Sequence, residues 1–185
     1  MFILASSSPR RKELLRKIVP EFEILVPEID ESLLHIDAKD LPSEESKAKA
    51  YAIACLYPHD EVLSCDTVVV LHGEALGKPK DYDDAFAMLK AQSGQKEIVL
   101  SAYTYIGHGK EITRTVATEV YFNDLSDEQI HDYLQTKKPF DKAGAYGIQD
   151  DFPLIREIVG SFDNVMGLPT EDIYEHVILR GRSRR

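Results

Sequence analysis

Apolar and polar positions along this chain switch repeatedly between a period of two and a period near 3.6, so strands and helices are expected in alternation. Phe2 to Ala5 reads as a short buried strand. Ser6-Ser7-Ser8-Pro9 then reads as a helix start: Ser8 can cap, Pro9 suits the first turn, and Leu14, Leu15 and Ile18 form an apolar stripe. Phe22 to Val26 predicts a second strand closed by Pro27, followed by the acidic run Glu28-Ile29-Asp30-Glu31. Ser43 opens a helix expected to reach Tyr57 with Ala48, Tyr51, Ala52, Cys55 and Leu56 inward. Glu61 to Leu71, rich in β-branched residues, predicts a strand that turns at His72-Gly73-Glu74, and Asp81 caps a helix to about Lys90. Two long strands, Ile98 to Ile106 and Glu111 to Phe122, meet at a four-residue hairpin connection, Gly107 to Lys110. Ser126-Asp127-Glu128-Gln129 is a capping box opening a helix to about Thr136. A glycine-bearing loop (Asp141 to Gln149), a strand near Leu154 to Val159 and a helix begun by Pro169 complete the series, which describes an α/β chain with a mixed sheet.

Length and composition narrow the class. At 185 residues with 43% hydrophobic and 29% charged residues, the chain is expected to form one globular domain rather than a disordered or repetitive one. No window approaches the roughly 18 apolar residues of a membrane span, and the apolar start is too short for a secretory signal. Cys55 and Cys65 form no CxxC pair, and a cytoplasmic, reducing location is expected. The net charge of −10 is unevenly spread: residues 1 to 20 hold five cations against Glu13 alone, residues 180 to 185 add four arginines, and the body between is strongly acidic. Such a body is a poor nucleic-acid binder, because phosphate backbones need extended basic faces. The local basic cluster suits a small polyanion. For Lys12, Arg16 and Lys17 a solvated helix face is the simpler reading, and residues 180–185 read as a disordered charged tail.

Four segments carry candidate chemistry. In Ser6-Ser7-Ser8-Pro9-Arg10-Arg11, free N–H groups at a helix start, serine hydroxyls and two guanidiniums converge as a triphosphate requires; capping and surface charge form the competing reading. Asp66 interrupts the apolar run Ser64 to Val70, and a carboxylate there must meet a cation, coordinate metal or lie at a strand end; a structural ion pair is the plain alternative. Strict alternation puts Asp66 and Thr67 on opposite sheet faces, so contact of both with one ligand requires the strand to bend or end there. Lys78, in Leu76-Gly77-Lys78-Pro79, is either a phosphate ligand or an exposed turn lysine. The loop Asp141 to Gln149 offers close backbone approach at its glycines, the Tyr146 ring, and in Gln149 a donor and acceptor together; ordinary loop punctuation is the competing reading.

Together with the closing Val159-Gly160-Ser161-Phe162-Asp163-Asn164-Val165-Met166-Gly167-Leu168-Pro169, these ordered segments resemble the Maf family of nucleoside triphosphate pyrophosphatases from Ile3 to about Pro169. The resemblance implies a mixed, elongated twisted sheet flanked by helices, with a deep central cleft between two lobes, of the Maf and inosine triphosphate pyrophosphatase kind. It implies a homodimer that hydrolyses a nucleotide between its α and β phosphates with a divalent metal cation, Mg or Mn. By similarity Asp66 is the general base, Glu31 its carboxylate partner for the metal, and Lys47 and Lys78 are phosphate ligands; Ser6, Ser8 and Arg11 belong to the substrate site. Arg10, Thr67 and Gln149 fall at positions that separate family branches, and the pattern is similar to the branch acting on dTTP and UTP. One departure is plain: where that branch usually has glycine after Gln149, this chain has Asp150 and Asp151. A nucleotide-binding regulator of cell division that needs no turnover is the rival reading; an intact Asp66 with Glu31, Lys47 and Lys78 favours the enzyme, since a purely binding module needs no activated water.

Overall fold

The computed structural model describes residues 1–29 and 37–180. Its elements are β1 (Phe2–Ala5), α1 (Pro9–Arg16), β2 (Glu23–Leu25), α2 (Leu41–Ala54), β3 (Glu61–Leu71), β4 (Glu74–Leu76), α3 (Tyr82–Gln92), β5 (Lys96–Gly107), β6 (Lys110–Phe122), α4 (Asp127–Lys137), β7 (Ile155–Val159), α5 (Phe162–Met166) and α6 (Thr170–Ile173), which runs on as a π-helical segment, Tyr174–Leu179. The sheet has seven strands in the order β2-β1-β3-β5-β6-β7, with β4 on the flank of β3. β1 is parallel to β2 and β3, while the other pairs are antiparallel, so the sheet is mixed as the pattern predicts.

Local chemistry sets most of these boundaries. Ser8 caps α1 by accepting from the Arg11 N–H, Asp81 caps α3 through Asp84 N–H, and Ser126 and Gln129 complete both halves of the capping box of α4. Strands β5 and β6 extend further than the alternation suggests and leave only His108-Gly109 between them, with φ of 52° and 70°, the doubly left-handed turn that matches strand twist. Two short elements escape the sequence pattern. β4 follows His72-Gly73 directly, and α5 folds the segment Ser161 to Gly167 against the sheet.

The inward face of α2 corrects the expectation. Tyr51, Cys55 and Leu56 are exposed, and Pro42, Glu45, Ser46, Ala50 and Ile53 are buried instead. The reason lies in how the helix is docked. Ser46 Oγ meets Thr104 Oγ1 at 2.8 Å, Ser64 Oγ donates to the Ser46 carbonyl at 2.5 Å, and Thr104 Oγ1 meets Thr113 Oγ1 at 3.0 Å. A ladder of buried hydroxyls holds much of this interface, so the apolar positions point to the wrong side.

The core divides in two along the long strands. At the β1 end, Leu4, Leu14, Leu15, Leu63 and Tyr103 pack on one face of the sheet, while Ile3, Ala50, Ile53 and Val62 pack on the other. At the far end, Leu89, Val99, Phe122, Tyr133 and Leu154 form a second cluster under α3 and α4. Between them β3 crosses a gap. β1 accompanies β3 only as far as the pair Ala5 and Ser64, and β4 joins the same flank at Val69 opposite Leu76, which leaves Cys65–Val68 with no strand beside them there.

Candidate active site

The gap in the flank of β3 opens a cleft of about 760 Å³. Its walls come from the Ser6–Arg11 segment, α2, the Gly77-Lys78 turn, the Asp141–Gln149 loop and the end of α5. Ser6, Ser8, Arg10, Arg11, Asp66, Thr67, Lys78 and Gln149 all line it. The local sequence explains each placement. Ser6 Oγ accepts from Ser8 N–H at 3.2 Å and Ser8 Oγ accepts from Arg11 N–H at 3.4 Å, so both hydroxyl protons remain available to an anion.

Asp66 and Thr67 do lie on opposite faces, as alternation requires, but β3 neither bends nor ends. Its pairing with β5 runs in register from Val62 opposite Ile106 to Val70 opposite Ile98. Both residues reach the cleft because the missing strand exposes the edge, and an edge is open from both faces. On one face Asp66 Oδ1 accepts from Lys49 Nζ at 2.7 Å, both side chains being 14% exposed. On the other, Thr67 Oγ1 meets Ser101 Oγ at 2.8 Å and accepts from Arg11 Nη2 at 3.1 Å. Arg11 Nε donates to the Gly167 carbonyl at 2.8 Å, which ties α1 to the end of α5. Asn164 fixes that end, its side chain amide donating to the carbonyls of Val99 and Val116 and to Thr118 Oγ1. Burial pushes the Cys65 thiol up to about 11 despite the nearby Arg11, and so disfavours the thiolate.

Lys47 is not in the cleft. It pairs with Glu44 at 2.8 Å on the outer side of α2, and Lys49 stands where the phosphate lysine was expected. Two residues along a helix turn a side chain by about 200°, so Lys47 and Lys49 cannot share a face. Glu45, one turn before Lys49, also lines the cleft and was not anticipated. Glu31 lies outside the described residues. Across the cleft Asp141 meets Arg10 at 3.8 Å and Lys142 at 3.1 Å; burial opposes its ionisation, but Lys142, a backbone N–H and Arg10 together outweigh burial and hold its carboxyl below the ordinary range. The Gly77 carbonyl accepts from Gly144 N–H at 3.1 Å, joining the Lys78 turn to the glycine loop.

The cleft thus joins cations from α1, α2, the Lys78 turn and the Asp141–Gln149 loop with a shielded carboxylate. Among the described residues no three His, Cys, Asp or Glu side chains gather as an all-protein metal cage would require. Asp66 and Glu45 supply hard oxygen donors that suit a divalent cation sharing its ligands with substrate phosphates.

Residues 1–178 match a family model described as Maf-like protein. A protein of Carboxydothermus hydrogenoformans named dTTP/UTP pyrophosphatase is 40% identical over 177 residues, 94% of this chain and 95% of its own length. One of the same name from Flavobacterium psychrophilum is 45% identical over 184 residues, 95% and 92% of the two chains, and one from Pyrococcus abyssi is 40% identical over 185 residues, 100% and 98%. Among solved structures, the Staphylococcus aureus Ham1 protein gives a TM-score of 0.47 at 16% identity, covering 66% of this chain and 72% of that one.

Proposed function

This chain belongs to the Maf family, and from that premise we propose that it is a nucleoside triphosphate pyrophosphatase acting on dTTP and UTP. The observation that carries the reading is the Lys49–Asp66 pair, sheltered in a cleft whose other wall presents Arg10, Arg11, Ser6 and the capping Ser8. In a protein of net charge −10, such a concentration of cations suits a small polyanion.

The triphosphate lies against the start of α1, where Ser6, Ser8 and the backbone N–H groups donate to its oxygens and Arg10, Arg11, Lys49 and Lys78 meet its charge. Asp66 takes a proton from water. The water oxygen forms a bond to the α phosphorus as the bond from that phosphorus to the α–β bridging oxygen breaks, giving the nucleoside monophosphate and pyrophosphate. Lys49 holds Asp66 by one oxygen, and Oδ2 makes no hydrogen bond among the described residues. Asp66 and Glu45, with Glu31 as the further carboxylate the resemblance gives, would hold a divalent cation, Mg or Mn, which would supply charge neutralisation at the phosphates. The Gln149 carboxamide, at the far wall, can donate to O4 and accept from N3–H of uracil or thymine. The same reading carries a homodimer in the cytoplasm, which sedimentation and fractionation check.

Pyrophosphate release measured across the natural nucleoside triphosphates with Mg or Mn tests this function. Highest kcat/KM for dTTP and UTP is expected. A protein that binds these nucleotides yet releases no pyrophosphate would be the non-hydrolysing regulator instead.

A further inference from the structure

Gln149 sits in a four-residue turn that both its ends tie to a single buried phenol. The turn is closed by Asp150 N–H donating to the Gly147 carbonyl at 3.1 Å. Tyr133, on α4 and fully buried, accepts from Gly147 N–H at 2.9 Å and donates its own proton to Asp150 Oδ2 at 2.6 Å. A Cβ at Gly147 would stand 2.8 Å from the Asp150 carboxylate, so the carboxylate is folded back over that glycine rather than toward the cleft. Tyr133 is held in turn by the Phe152 ring, 5.1 Å away between centroids. Gly147 and Gln149 line the cleft, whereas Tyr133 and Asp150 do not.

We infer that Tyr133 and Asp150 are positioning residues that aim the Gln149 carboxamide at the nucleobase and so set base preference. A carboxamide reads a pyrimidine edge only when its plane and its O and N ends are fixed, because the donor and acceptor must meet O4 and N3–H together. The phenol fixes the turn at both ends, Gly147 before Gln149 and Asp150 after it. This accounts for the aspartate in place of the glycine usual in the dTTP and UTP branch: its charge is turned inward onto Tyr133, away from the ligand. The inference rests on the pyrimidine nucleotide reading above.

The test compares Tyr133→Phe, Asp150→Ala and Asp150→Asn with wild type for kcat and KM on dTTP and GTP, with tripolyphosphate inhibition as a probe of the phosphate site alone. Tyr133→Phe and Asp150→Ala are expected to lower kcat/KM for dTTP about tenfold, chiefly through KM, as for one lost base contact. GTP and tripolyphosphate should be little affected, so the dTTP to GTP ratio falls. Asp150→Asn keeps an acceptor for the phenol and should stay near wild type, and the Tyr133→Phe/Asp150→Ala double variant should be no worse than either single one. An unchanged dTTP to GTP ratio in Tyr133→Phe, or Asp150→Asn as damaged as Asp150→Ala, overturns the inference. If wild type prefers a different nucleotide, the pyrimidine reading fails by itself; the pair is then judged by whether the same variants change, and Asp150→Asn preserves, that other preference. Should no nucleotide be turned over, dissociation constants for the same ligands give the same comparison.

Discussion

In the proposed mechanism the chemistry turns on Asp66 and Lys49. Replacing Asp66 with Asn keeps its shape but removes its capacity to take a proton, and general-base catalysis contributes about 10² to 10⁴ in rate. Turnover of dTTP by Asp66→Asn should fall by that order while nucleotide binding, followed by calorimetry, persists. Near-normal turnover would assign the base elsewhere. Lys49→Ala and Lys47→Ala form a matched contrast on one helix. Lys49 sits in the cleft on Asp66, and loss of a charge-assisted contact there should cost roughly 10- to 100-fold in kcat/KM. Lys47 makes only an exposed pair with Glu44, of a kind that contributes about 1 kcal/mol or less, so Lys47→Ala should leave kcat/KM within about twofold. Steady-state kinetics on the two variants decides between the lysines; the reverse ranking would restore Lys47. The sequence alone marks Asp66 because a lone carboxylate in an apolar strand needs a reason. It does not separate Lys47 from Lys49, since that choice depends on which side of α2 meets the sheet.

At the scale of elements, α2 shows where sequence pattern stops being informative. Capping serines and aspartates, alternating apolar positions and the glycine turn between β5 and β6 make most of the elements legible, because each is a local signal. The face of α2 is not local. Its interface with the sheet depends on Ser46, Ser64, Thr104 and Thr113, which a hydrophobic count scores as surface. β4 and α5 leave no such local signal for a related reason: each is three to five residues long and is stabilised by the neighbour it packs on. Melting experiments on two substitutions check the orientation. Ser46→Ala leaves Thr104 Oγ1 without one of its buried partners and should cost about 1 to 3 kcal/mol, whereas Leu56→Ser, at a side chain 72% exposed, should change stability by less than about 0.5 kcal/mol. A larger loss from Leu56→Ser would mean that this face is covered.

For the molecule as a whole, the second core cluster contains a source of pH dependence. Glu97 is 1% exposed, and both its oxygens lack hydrogen-bond partners among the described residues. Burial raises its carboxyl from an ordinary 4.5 to about 8; the Tyr146 hydroxyl lies near enough to draw it back slightly, without a bond of ordinary geometry. Between those two values the folded state holds a proton that the unfolded chain has released, so stability falls as pH rises from about 4.5 to 8 and levels off beyond. Glu97→Gln escapes this loss. Denaturant unfolding at pH 5, 6.5 and 8.5 should show the variant gaining on wild type with each step, on the order of 2 to 5 kcal/mol by the last; parallel curves would place an unseen partner on Glu97. The open flank of β3 bears on the whole molecule too, through its behaviour in a crowded solution. From Val62 to Leu71 Asp66 is the sole charge in a run otherwise suited to stacking against copies of itself, and it stands where no strand covers the edge. The carboxylate proposed to activate water is therefore also expected to act as a gatekeeper against intermolecular strand addition. Asp66→Asn should refold with lower yield and scatter more light at high concentration than Lys78→Ala, a second change in the cleft that leaves β3 charged, and equal recovery of the two would remove this second role.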